Sequence, residues 1–440
     1  MKMKKLITKI NLATRSSSSS HPSSSSRVLR PASDARSDYK TTSYSSLELL
    51  PPEIRRHILS FLDIRSLDSL IHSSPVFHEQ YLENRRYLLC SSLETTLGAV
   101  ALDAWATFQS GSPGFSYTRE NVQCLLESFR VNGQPLHERI KEHEAIEMAT
   151  FYLSIISPLI HHYTKWILDN FATEIENIPK NITLSPVEET RVLRSFYRFQ
   201  LGCNLFGSSD ESPCTKQGLY LRPIDILRLF FCQFEPWEVE EILCINTFAR
   251  DKYDKIFREI HWDVNENNPK FDGQRPPTPE GAFDFDNSWA REELLAGTVC
   301  RGLELLHKAT YEVKDHSQLV QTMQENIAWP SSAFLTEFAL GEAAQWERRQ
   351  EAFSKRDEKQ NRRDSLPFTQ DAESYPPLAW TMIWGGTYSN LYGWYVHDNL
   401  RRLGYVFLDA ITIESLGAKD IILKKCQEDW GDNDPRDRIF

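Results

Sequence analysis

Residues 49–62 read LLPPEIRRHILSFL, and the way this stretch folds decides how the chain is organised. Pro52 suits a first helical turn, where its missing N–H costs nothing. Glu53 follows where a negative charge meets the positive end of the helix dipole. Ile54, Ile58 and Leu62 then recur at four-residue steps on one stripe, widened by Leu59 and Phe61. A break at Asp63 leads to a second short apolar face of Leu67, Leu70 and Ile71. Ser74-Pro75 supplies an N-cap and first-turn pair for a third helix carrying Phe77 and Tyr81. Three helices this short bury too little apolar surface to stand alone. The unit therefore docks on its own C-terminal body, on another protein, or on both.

Working outward, the remaining sequence favours helices. Its 440 residues are 40% hydrophobic and 12% aromatic, which belongs to a folded chain with a sizeable core rather than a disordered one. Only 18 are glycine, which disfavours glycine-rich β architectures, so the expected fold class is mostly α. Apolar runs such as AIEMATFYLSIISPLI (Ala145–Ile160) fall short of the roughly 18–20 residues a bilayer needs, so no membrane insertion is expected. The eight cysteines are scattered without a C-x-x-C pair and read as reduced, buried thiols of an intracellular protein.

Charge is unevenly placed. Met1–Ser33 holds seven of the 50 Lys/Arg and none of the 61 Asp/Glu, leaving an acidic remainder. That balance argues against nucleic acid, which calls for a basic groove. Residues 1–46 read as a disordered, basic, serine-rich tail. The alternative is a mitochondrial presequence, with Leu6, Ile7 and Ile10 forming an apolar face among lysines. Residues 47–87 form the three-helix unit, and 88–440 an all-helical body.

Within that body, helices are expected over Leu88–Phe108, Thr118–Phe129 and Gln134–Phe171, the last as one long helix or a pair bent at Pro158. Further helices are expected over Pro186–Phe206, Ile224–Phe234, Pro236–His261 and Trp289–Val313. Asn265–Gly281, rich in Pro and Asn, is expected to be an exposed loop. Trp346–Asp364 mixes seven basic and five acidic residues and is expected to be a solvated helix or a mobile excursion.

Leu50-Pro51-Pro52-Glu53-Ile54, followed by Ile58-Leu59, Leu62, Leu67 and Leu70, resembles an F-box. Ser73-Ser74-Pro75-Val76-Phe77 sits where F-boxes carry a small-residue and aromatic segment. The match covers Leu47–Arg86; unlike many F-boxes, it has no Trp near its end. PWEVEEILCI and the later LRRLGYVFLDA (Leu400–Ala410) are similar in style to uncharacterised filamentous-fungal F-box-like proteins. The resemblance implies a substrate-recruiting subunit of a cullin–RING ubiquitin ligase, cytoplasmic or nuclear. The F-box helices would lie against the Skp adaptor on its cullin scaffold, and the body would capture a target. Leu50, Pro51, Pro52, Glu53, Ile54, Ile58, Leu59, Leu62, Leu67 and Leu70 would then be divided between adaptor contact and internal packing. The reading without a ligase is a mitochondrially imported helical interaction or structural protein.

No catalytic pattern is present: neither G-x-S-x-G nor H-E-x-x-H occurs, so the chain is expected not to be an enzyme and to need no cofactor or metal. His161-His162 are neighbours on a helix and do not converge on one ion. WTMIWGGTYSNLYGWYVHDN (Trp380–Asn399) is dense in aromatics, the signature of a segment glued onto a core. A second reading makes Trp380, Trp384, Tyr388, Tyr392 and Trp394 the lining of a target pocket.

Overall fold

The computed structural model describes residues 45–131, 135–175, 183–207, 221–274, 279, 281–330, 339–431 and 433–438; the tail expected over 1–46 lies almost wholly outside them. The fold is mostly α, about 71% helical, and among the described residues there is no strand, only an isolated bridge between Ser365 and Thr387. The N-terminal unit is α1 (Pro52–Phe61), α2 (Ile64–Ser73) and α3 (Pro75–Glu83). The body opens with α4 (Arg85–Leu97), α5 (Ala101–Gly111), α6 (Arg119–Val131), α7 (Leu136–Arg139), α8 (Glu142–Phe151) and α9 (Ser157–Phe171). Its centre is α10 (Pro186–Phe206), α11 (Pro223–Leu229) and α12 (Pro236–Val264), followed by α13 (Ser288–Val299), α14 (Leu303–His307) and α15 (His316–Gln324). Then come α16 (Glu342–Glu351), α17 (Lys355–Asn361), α18 (Leu378–Ile383), α19 (Asp398–Arg401), α20 (Ala410–Leu416) and α21 (Ala418–Trp430).

Two long helices organise the core. α10 starts on a capping box: Ser185 Oγ accepts from Glu188 N at 3.2 Å and Glu188 Oε2 accepts from Ser185 N at 2.8 Å. It packs against α5 on one side and α12 on the other. Apolar burial supplies most of the cohesion; Tyr163, for example, meets Phe196, Phe248 and Phe407 edge-on, with centroids 5.3–5.8 Å apart. Between the helices runs a charged seam. Arg194 and Arg198 of α10 are buried and face Glu238 and Glu241 at the start of α12. Arg194 Nη2 donates to both oxygens of Glu241, at 2.6 and 2.8 Å, and Arg198 donates to Asp103 and Glu238 at 2.8 Å. Charges so deep are stable only when paired like this.

Four expectations need correcting. The helix expected over Leu88–Phe108 is broken at Gly98, where φ is +51° and a 3₁₀ turn reaches Val100. The one expected over Trp289–Val313 is broken at Gly302, whose φ of +88° lets Gln200 approach and accept from Leu303 N at 2.7 Å. The Asn265–Gly281 loop is not simply exposed: it holds a 3₁₀ helix, Pro269–Gln274, and buries Asn265 and Phe271. The charged run Trp346–Asp364 is neither solvated throughout nor an excursion, for Arg348, Arg349, Asp357 and Gln360 are all buried. The stretch around Pro158 resolves differently again. α8 runs into α9 through a π-turn at Tyr152–Ile156, which absorbs the register change that Pro158 imposes. All the described cysteines are free, and burial pushes the thiols of Cys90 and Cys300 up to about 12.

Candidate partner-docking surface

The chain enters the N-terminal unit through a short turn held by Ser45 N donating to Glu48 at 2.7 Å. Glu48 also accepts from Ser74 Oγ at 2.6 Å, so the lead-in is pinned to the junction of α2 and α3. That bond, helped by the Ser45 backbone, holds the Glu48 carboxyl below the usual range. Pro51 is extended, with φ −53° and ψ 146°, and its carbonyl accepts from Ile54 N and Arg55 N at 3.0 and 3.1 Å. α1 therefore starts at Pro52, where the proline pair dictates. Asp63 ends the first helix and caps the second, accepting from Arg65 N at 2.9 Å and Ser66 N at 3.0 Å. Ser74 caps α3 through Phe77 N.

Packing divides the leucine and isoleucine positions into two sets. Leu59 and Leu67 are 0% and 2% exposed and join Ile71, Phe77, Tyr81 and Leu88 in a small core of their own. Of the ten residues expected to divide between adaptor contact and internal packing, these two fall to internal packing. Leu62 and Leu70 are half-buried at the margin of that core, and Leu50 and Ile58 are half-buried as well. Pro51, Pro52, Glu53 and Ile54 face outward. Beside them lie three apolar residues that the sequence did not mark as contacts. Leu47, Leu49 and Phe61 are 51%, 73% and 68% exposed, and Ile54 is 47% exposed. Phe61 stands seven residues after Ile54, two turns along the same side of α1, and packs edge-on against His57 at 4.7 Å. The helical period carried that signal; only burial shows which side of the helix is left bare.

The bare side is held rigidly. α4 underlies the unit, and its side chains satisfy the exposed ends of α1 and α2: Ser92 Oγ donates to Leu62 O, and Thr96 Oγ1 accepts from Ile64 N, both at 2.8 Å. Arg65 reaches Ser157 at the start of α9. On the side facing the body, α2, α3, α4 and α8 enclose an apolar cleft of about 310 Å³, lined by Leu67, Ile71, Leu82, Leu89, Ile146 and Leu153 among others.

The aromatic segment does not converge on one pocket: Trp394 lines one cavity and Trp384 another. Trp380, Trp384, Tyr388 and Tyr392 are at most 5% exposed and are packed into the body; Trp394 alone of the five is open to solvent, at 48%. The rings of His161 and His162 lie edge-on with centroids 5.8 Å apart, and His162 stacks on Tyr311 at 3.5 Å. Burial, with His161 close by, lowers the His162 pKa to about 4. Among the described residues no group of three or more His, Cys, Asp or Glu could hold a metal ion, and no helix is long and apolar enough to cross a membrane. Comparison of the chain with protein-family models, with curated proteins and with solved structures found no match.

Proposed function

We propose that this chain is the substrate-recruiting subunit of a cullin–RING ubiquitin ligase. Its N-terminal unit docks on the Skp adaptor and its helical body takes a target protein, while ubiquitin transfer is carried out by partners. One observation supports the reading above the others: Leu47, Leu49, Ile54 and Phe61 stay uncovered at the start and along one side of α1, while Leu59, Leu67, Ile71, Phe77 and Tyr81 of the same unit are packed away. Two large apolar side chains on one side of a short helix, Ile54 and Phe61, with two more on its lead-in, suit helix-in-groove recognition, in which a few large side chains carry most of the affinity. Arg56 and Glu53 beside them provide the polar rim that fixes register.

The test is capture of purified Skp adaptor by the purified chain. Ile54→Asp with Phe61→Asp, and separately Leu50→Ala with Pro52→Ala, should each weaken capture by about tenfold or more. Ile54, Phe61 and Pro52 face solvent and Leu50 is half-buried, so the melting temperature should hold. Undiminished capture by both variants, or none by the unaltered chain, removes the proposal.

A further inference from the structure

The body holds a cavity of about 660 Å³ where α12, α13 and the segment 393–401 meet. Two exposed tryptophans stand in its wall: Trp289 is 66% exposed and Trp394 48%. Two open indoles in the wall of one cavity make an apolar surface that a ligand can cover. Both are braced. Trp289 leans on Trp329 with centroids 5.6 Å apart. Trp394 follows Gly393, whose φ of +67° lets the chain pass so close to Leu340 that a β-carbon would lie 2.6 Å from the Leu340 carbonyl oxygen. Gly393 N also donates to the buried Glu240 at 2.7 Å, and Arg401 donates to Gly393 O. The wall is therefore formed before any ligand arrives, which lowers the entropic cost of binding.

The charges around the cavity are not balanced. Arg401 is turned inward, 9% exposed, and is taken up by Glu240 at 2.9 and 3.0 Å and by Asp398 at 3.1 Å. Arg250 is paired with Glu292 at 2.5 Å. Glu293 is half-exposed on the cavity wall and has no hydrogen-bond or ion-pair partner among the described residues. The charge that a ligand meets is thus an unneutralised carboxylate in a wall that also carries two open indoles. That combination favours a cation, attracted by the carboxylate and by the ring quadrupoles together, and it repels an anion.

We infer that this cavity binds a cationic peptide side chain, lysine or arginine, and that in the recruiter proposed above it is where the body reads its target. That second clause rests on the ligase reading; the binding itself does not. The test uses the full chain with no adaptor present, so its failure and the failure of adaptor capture are separate results. Fluorescein-labelled Gly-Ser heptapeptides with one central Arg, Lys, Gln or Glu are titrated against it by anisotropy. The Arg and Lys peptides should bind about tenfold or more tighter than the Gln peptide, with the gap narrowing at about 0.3 M salt. Glu293→Gln and Trp394→Ala should each weaken the Arg peptide by about fivefold or more. Glu293→Lys should turn the preference toward the Glu peptide, a gain that a misfolded chain does not produce. Equal binding of all four peptides, or Arg binding indifferent to both Glu293→Gln and Trp394→Ala, overturns the inference.

Discussion

Asp357 shows what a single buried charge demands. It is 1% exposed; Oδ1 accepts from Arg348 Nη2 at 2.7 Å and from Asn390 Nδ2 at 2.8 Å, and Oδ2 accepts from Ser354 N at 2.8 Å. Burial alone would raise its pKa, but Arg348 and Ser354 outweigh that and hold the carboxyl well below the usual range. Asp357→Ala strands two arginines in the interior and should cost about 3–5 kcal/mol in urea unfolding. A loss under about 1 kcal/mol would mean the arginines find water instead. Glu238 permits a pH measurement. Burial pushes it up, yet Arg198 and Arg194 bring it down to about 2 from an ordinary 4.5. Because the folded pKa is depressed, its contribution is present above pH 4.5 and is lost as the pH falls towards 2, on the order of 3 kcal/mol in all. Glu240 and Glu241, raised by burial, act in the opposite direction, so the comparison must be made against a variant. Stability measured at pH 6 and pH 3 should fall further for the unaltered chain than for Glu238→Gln. Equal falls would show that the pairing does not set this carboxyl. The pairing of Asp357 was not legible in the run 346–364, where alternating charge looks the same whether it faces water or a partner 33 residues onward.

At the scale of the element, α1 carries two faces that a substitution series separates. Leu59 is sealed in the small core, so Leu59→Ala should cost about 2–5 kcal/mol. Ile54→Ser and Phe61→Ser lie on the bare side and should stay within about 0.5 kcal/mol of the parent, read from the same unfolding curves. If Phe61→Ser destabilised as much as Leu59→Ala, the exposed stripe would be internal packing and the docking surface would be lost. Much of this scale was open to sequence reasoning. Pro52, Ser74-Pro75, Ser185-Pro186 and Pro236 each start a helix, because caps and prolines act locally. The interruptions were not open to it. Gly302 breaks its helix where Gln200, a hundred residues earlier, takes the Leu303 amide, and the π-turn before Pro158 packs near α14. Such breaks are set by tertiary neighbours that periodicity does not contain.

At the scale of the whole molecule, α4 decides whether the N-terminal unit is separable. Leu88 belongs to the small core with Leu59 and Phe77, whereas Leu89, Leu93 and Leu97 of the same helix belong to the large one. Arg86 adds a bond to Ile140 O at 3.0 Å, and Ile64 of α2 is itself part of the body's core. A fragment spanning residues 45–87 would thus keep three helices of nine or ten residues and lose Leu88, Ser92 and Thr96, which close its core and its helix ends. Isolated helices shorter than about 12–15 residues are marginal in water, and nothing left in the fragment compensates. Far-UV circular dichroism of that fragment should show a largely unfolded chain with no cooperative melt. The full chain should lose the amide protection of α2 in the same transition as that of α4, as hydrogen exchange in urea would record. A fragment that melted cooperatively by itself would make the unit a tethered module. The opposite result fixes the bare stripe of α1 in one orientation relative to the body, so that whatever docks there holds the Trp289–Trp394 cavity at a set position rather than at the end of a flexible lead.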